Sequence, residues 1–160
     1  MPAQPTPPST AAPTAQASSP VRQLSVFLHN RVGALLELVK LLNDHRIEVL
    51  GLSVQDSVEL TLVRLVVSDP DSAQHVFAEQ GLSCAAKVIV VVELREGVHD
   101  LGHALSALLT AEINVHHSYP LLVRPGGKPL VALYVDDAEV GAEALNKSGF
   151  RVLSQGDLSR

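Results

Sequence analysis

The residues best placed to do chemistry in this 160-residue chain are His29-Asn30-Arg31-Val32-Gly33-Ala34-Leu35. The stretch joins an alternating apolar run, Leu24 to Leu28, to an amphipathic segment from about Gly33 to His45. A short polar loop with a glycine, opening a helix, leaves several backbone N–H groups without intrahelical acceptors. Such a place can hold a carboxylate or another anion. Gly33 also lets a ligand approach the backbone closely. A related pattern, Glu96-Gly97-Val98-His99-Asp100-Leu101, recurs downstream with His99 in the place of that glycine.

Seven histidines raise a metal reading. His99 and His103 are four apart on an expected helix, a spacing that can put two imidazoles on one ion. His116 or His117 on the following strand would add a third. Against this, His103 falls on the solvated side of its helix, so no metal site is assigned. Cys84, the one cysteine, excludes an intrachain disulfide and a Cys-rich zinc site, and it reads as a small apolar residue. No nucleophile elbow, Walker loop or Rossmann glycine pattern occurs. Arg124-Pro125-Gly126-Gly127-Lys128 fits a hairpin turn, not a phosphate loop. The expectation is a protein with no cofactor and no chemistry of its own.

The elements that must position the loop follow from periodicity. Residues 1–20 form an uncharged tail holding six of the ten prolines, too poor in apolar residues to fold. Leu24, Val26 and Leu28 alternate with polar neighbours as a strand. Leu35, Leu38, Val39 and Leu42 follow helical spacing. Ile47 to Gln55 reads as a strand with a bulge at Gly51, and Thr61 to Val67 as another. Asp69-Pro70 starts a helix that ends before Gly81. Leu82 to Ala86 completes a βαββαβ unit over 21–86.

A second unit, 87–158, follows without a linker. Lys87 to Leu94 is apolar on both faces and should be central. Leu101, Ala104, Leu105 and Leu108 form a helical stripe, and Ile113 to Leu122 and Pro129 to Val135 are strands. Asp136 with Glu139 suggests a capping box, and Phe150 to Ser154 closes the sheet. The two units superpose with an offset of 66, taking Leu28 to Leu94 and Ile47 to Ile113. After the Pro-Gly-Gly turn the offset is 68, taking Asp69 to Asp137 and Gly81 to Gly149. The chain reads as a duplication.

Composition bounds the partners. The net charge is −5, aromatic residues make up 3% and there is no Trp. That argues against nucleic acid and against an anionic membrane. No apolar run approaches the roughly 20 residues of a membrane span, and the N-terminus lacks a signal-peptide pattern. A cytoplasmic protein is expected.

A βαββαβ unit with Asn30-Arg31-Val32-Gly33-Ala34-Leu35 after its first strand resembles the ACT domain, a ferredoxin-like module of amino-acid-regulated enzymes and stand-alone sensors. Val32 stands where proline is common in that loop. Ile47-Glu48-Val49 and Ile113-Asn114-Val115 match the start of the second strand. The resemblance covers about Arg22 to Asp157. It implies an α+β fold of two ferredoxin-like units, each an antiparallel sheet with helices on one face, the sheets joined side by side into one of eight strands. It also implies an amino-acid ligand held between a loop and the second strand of a partner unit. The contacts would be Asn30, Arg31, Val32, Gly33 and Ala34 with Asn114 and Val115 opposite. A second site would use Glu96, Gly97, Val98 and His99 with Glu48 and Val49. The expected function is an allosteric sensor or regulatory subunit, a homodimer acting on a metabolic enzyme. Two alternatives stand beside it: an oligomerisation module without ligand, and a metal-responsive sensor using His99, His103 and His116.

Overall fold

Alternation along the first strand sets the first layer. In the computed structural model, which describes residues 19–159, β1 (Arg22–His29) buries Leu24, Val26 and Leu28 against two helices. Those are α1 (Ala34–Asp44) and α2 (Pro70–Glu79), which contribute Leu38, Leu42, Ala73 and Phe77. With β2 (Val49–Asp56), β3 (Leu60–Val67) and β4 (Cys84–Val88) the sheet order is β2-β3-β1-β4, all antiparallel. The tail expectation concerns residues that, up to 18, lie outside the described ones. Ser19 is already tied down, its carbonyl accepting from the Gln155 N–H at 2.8 Å.

The second unit repeats the plan. It runs β5 (Val90–Glu93), α3 (Asp100–Thr110), β6 (Val115–Pro120), β7 (Leu130–Val135), α4 (Ala138–Lys147) and β8 (Arg151–Leu153). Its sheet order is β6-β7-β5-β8. The duplication extends to backbone detail. Arg46 and Glu112, 66 positions apart, both take φ of 57° just after their helices. Register shifts fall at Val49/Gly51 and at Val115/His117, again in matching positions. Asp69 caps α2 and Asp137 caps α4, each through a side-chain oxygen accepting a backbone N–H.

One expectation is corrected here. The two sheets do not join into a single sheet of eight strands; each has four. They pack through their helix-free faces. Val21, Leu50 and Val66 of the first unit meet Val91, Tyr119, Leu121, Ala132 and Leu153 of the second in one buried cluster. Part of each helix-free face is apolar, at Leu50 and Val66 in one sheet and Val91, Ala132 and Leu153 in the other, and burying that part favours stacking over edge pairing. A single backbone bond, Leu122 N–H to Leu50 O at 2.8 Å, links the edges beside β2 and β6. The chain passes from sheet to sheet through Ile89 alone, between β4 and β5.

Smaller corrections follow. Asp137 rather than Asp136 is the cap of α4; the Asp136 carboxylate instead accepts from the Asn114 N–H at 3.1 Å and pairs with His116. On α3 the core-facing positions are Ala104 and Leu108, while Leu101 and Leu105 are 39% and 40% exposed. A short helix, α5 (Gln155–Leu158), was not expected. Ser154 and Asp157 form its capping box, and Leu158 plugs the inter-sheet core.

The inter-sheet layer also holds a polar bond. Gln23, buried on β1, accepts the Tyr119 hydroxyl at 2.8 Å and lies 3.1 Å from His117 Nε2. A buried amide needs such partners, and here all come from the other sheet.

Candidate functional site

The loop after β1 sits at the end of the first sheet where the β2–β3 hairpin also turns. Asn30 is fixed to that hairpin: its side-chain amide donates to Asp56 at 3.0 Å and its backbone N–H to the Glu59 carbonyl at 3.3 Å. Gly33 takes φ of 86°, a left-handed conformation that favours glycine, and heads α1 without a side-chain cap. In this first turn the Ala34 N–H reaches Arg31 O and the Glu37 N–H reaches Gly33 O. The N–H groups of Leu35 and Leu36 meet no acceptor among the described residues. They are the open donors of the helix end. Val32 is fully exposed.

Charge lies beside these donors. The Arg31 guanidinium pairs with Glu37 through two bonds, at 2.5 and 3.2 Å, both side chains being more than half exposed. The hydrogen bond and then the attraction raise the guanidinium pKa and lower that of the carboxyl. An open groove of about 460 Å³ runs past them, lined by His29, Arg31, Ala34 and Glu37 on one side and by Gln80, Gly81 and Ser83 on the other. An exposed cation and an exposed anion beside a groove, with free N–H donors in the adjoining helix turn, can receive a zwitterion.

The structure brings Arg31 and Ala34 into this groove but not Asn114 or Val115. Asn114 is bonded to Asp136, and Val115 pairs with Val135. The residues opposite the loop are those of the α2–β4 turn of the same unit. Gly81 in that turn carries a helix-stop signal only, and no local pattern marks it as part of a site.

The second loop is built differently. Glu96, Gly97, Val98 and His99 lead into α3 through a short 3-10 turn. The Glu96 N–H donates to the Asp100 carboxylate at 2.9 Å, and that carboxylate is nearly buried. This bond is the main cause of a lowered Asp100 pKa, with burial opposing it and His103, at 3.5 Å, adding a smaller pull. A carboxylate of the chain thus occupies the second loop. Glu48 and Val49 line a different groove, of about 520 Å³, facing Leu122 and Val123 rather than residues 96 to 99.

The histidines do not assemble. His103 faces Asp100, and His116 pairs with Asp136. Among the described residues no group of three potential metal ligands occurs. Half-burial raises the Cys84 thiol pKa, which lowers its reactivity at neutral pH. No described helix is long and apolar enough to cross a membrane.

Solved structures share this fold. The chain is similar to protein BT0572 from Bacteroides thetaiotaomicron, at 21% identity over 90% of this chain and 99% of that one, with a TM-score of 0.81. It is also similar to the ligand-free regulatory subunit of aspartate kinase from Thermus thermophilus, at 15% identity over 84% and 95% of the two chains, with a TM-score of 0.58. The corresponding subunit from Thermus flavus gives 14% identity, 83% and 99% coverage, and a TM-score of 0.53. No curated protein matches the chain. The family model described as ACT domain pair matches residues 19–160, both units together, and the chain belongs to that family.

Proposed function

We propose that this protein is a stand-alone regulator that binds an amino acid at the loop Asn30 to Ala34 and carries out no reaction itself. The observation that carries the reading is the uncapped start of α1 beside the Arg31–Glu37 pair. The α-carboxylate would sit on the Leu35 and Leu36 N–H groups with Arg31. The α-ammonium would take Glu37, so the ligand replaces one exposed ion pair by two. Exposed pairs are weak, so opening this one is a small cost. The regulatory role is supported by the Thermus relatives, which are regulatory subunits by name. In this reading the protein is a cytoplasmic homodimer, a second copy brings Asn114 and Val115 to the loop, and a metabolic enzyme is the regulated partner. The second loop, at Glu96 to His99, stays closed because Asp100 fills it.

A thermal-shift screen of the twenty amino acids tests this, since a ligand that binds only the native state raises Tm. One or a few amino acids should stabilise the wild type. Gly33→Asp, which sets a negative charge at the helix start, should remove the effect. A flat screen, or a shift unchanged in Gly33→Asp, would reject the assignment. Sedimentation with and without the stabilising amino acid checks the dimer.

A further inference from the structure

A second place in the molecule gathers charge without matching it, and its charged residues are separate from the loop, with Phe27 alone also lining the loop groove. Alternation puts Ser25 on the helix-free face of β1, because Leu24 and Val26 point into the helices. Two cations flank it on that face. Arg64 of β3 is the direct partner of Ser25 in register, and Lys87 of β4 is the partner of Gln23. Neither is within ion-pair distance of a carboxylate among the described residues. Arg64 donates only to the neutral Gln55 at 3.2 Å. The Lys87 ammonium lies 4.8 Å from the centre of the Tyr134 ring and 3.3 Å from its hydroxyl. Both positions belong to a chain whose net charge is −5.

The second sheet supplies the opposite wall. His117 lies 5.1 Å from Tyr134 between ring centres, and its Nε2 reaches Gln23. Burial depresses the His117 pKa, and Arg64, His116 and Lys87 depress it further. The Asp136 carboxylate is already taken by His116 and the Asn114 N–H. The same face of the first sheet continues outward as an apolar shelf. Phe27 is 47% exposed there, paired in register with the half-buried Leu62.

We infer that this cation-bearing face, where the first sheet meets His117 and Tyr134 of the second, is a binding site for a small molecule with an oxyanion head and an apolar body. The head, a carboxylate or a phosphate, sits over Ser25 between Arg64 and Lys87, where charge-assisted hydrogen bonds replace water. The body lies on Phe27 and Leu62. Lys87 leaves the Tyr134 hydroxyl to reach the anion, and His117 borders the site from the second sheet.

Both tyrosines of the chain, Tyr119 and Tyr134, line this layer, and there is no tryptophan. Tyrosine emission therefore reports on this layer directly. Full-length protein is titrated with octanoate, octyl phosphate and octanol below their aggregation limits. The expected result is a saturable change with one or both anions and none with octanol; the ratio of the two anions identifies the head. Arg64→Gln and Lys87→Gln should each weaken binding about tenfold, the scale of one charge-assisted bond. Arg46→Gln, a cation elsewhere, should not. Ser25→Asp supplies the anion from the chain and should abolish binding while keeping or raising Tm, which separates loss of the site from loss of the fold. Equal responses to octanol and octanoate, affinity unmoved in Arg64→Gln and Lys87→Gln, or no saturable response by 10 mM (roughly the weak limit of specific binding) would overturn the site. A change in emission with protein concentration alone would assign this face to a second copy and overturn it as well. None of these outcomes touches the loop, which Gly33→Asp tests separately.

Discussion

Asp100 holds the Glu96 N–H at 2.9 Å, and in the repeat it stands where the first unit has Ala34. One unit carries its anion in the chain; the other has a methyl group and an open helix end. The two loops descend from one plan and differ in whether the charge is built in.

That difference can be exchanged. Ala34→Asp should raise Tm slightly, since an acidic residue in the first turn of α1 is worth about 0.3–1 kcal/mol. It should also remove any stabilisation by added amino acids. Asp100→Ala should lower Tm, and the loss should shrink as the pH falls. The Asp100 pKa is lowered on folding. Its contribution is therefore present above the ordinary carboxyl range and disappears as the pH drops through the folded value. Thermal melts of wild type and variants at several pH values check both.

Gly51 is packed against the other sheet. A Cβ there would lie 2.4 Å from Leu121 Cδ2. Gly51→Ala should cost about 1–3 kcal/mol, as overpacking does. The cost should be smaller in a Leu121→Ala background, where room is available. Urea denaturation of the four proteins of this cycle measures the coupling.

Gln23 and Tyr119 bind the sheets together by one bond across 96 positions of sequence. Tyr119→Phe should cost about 0.5–1.5 kcal/mol, the net value of a hydrogen bond. Gln23→Leu leaves both the Tyr119 hydroxyl and His117 without their partner and should cost more, about 1–3 kcal/mol. The double variant should lose less than the two losses added. Equilibrium unfolding of the set decides it.

His117 makes the layer sensitive to acid. Burial first, then Arg64, His116 and Lys87, lower its pKa from the ordinary 6.5. A lowered imidazole pKa means that the unfolded chain takes the proton first. The contribution is complete above 6.5 and is lost as the pH falls from there to the folded value. Tm measured from pH 8 to pH 5 (roughly the window of histidine titration) should fall below the midpoint, and His117→Gln should flatten that part of the curve. A slope unchanged in His117→Gln would assign the loss to other groups.

The sequence by itself determined the order of the strands and the four longer helices, the duplication, the cap at Asp69 and the glycine that opens α1, while at α4 it pointed to Asp136, one residue before the true cap. These rest on interactions within about one helical turn or on strict alternation, which leave a local pattern. The bulge at Gly51 was legible for the same reason. Only the tertiary structure decided how the sheets meet. Val66 and Val91 reveal that a second face is apolar, but not whether it stacks or pairs edge to edge. Nor does any local pattern join Gln23 to Tyr119 or set Arg64 and Lys87 on either side of Ser25, because those partners come together only through strand register and sheet packing. Asp100 lies between the two cases. Its type and its place in the first turn of a helix were in the sequence, but its carboxylate becomes part of the second loop only when the 3-10 turn folds Glu96 back over it.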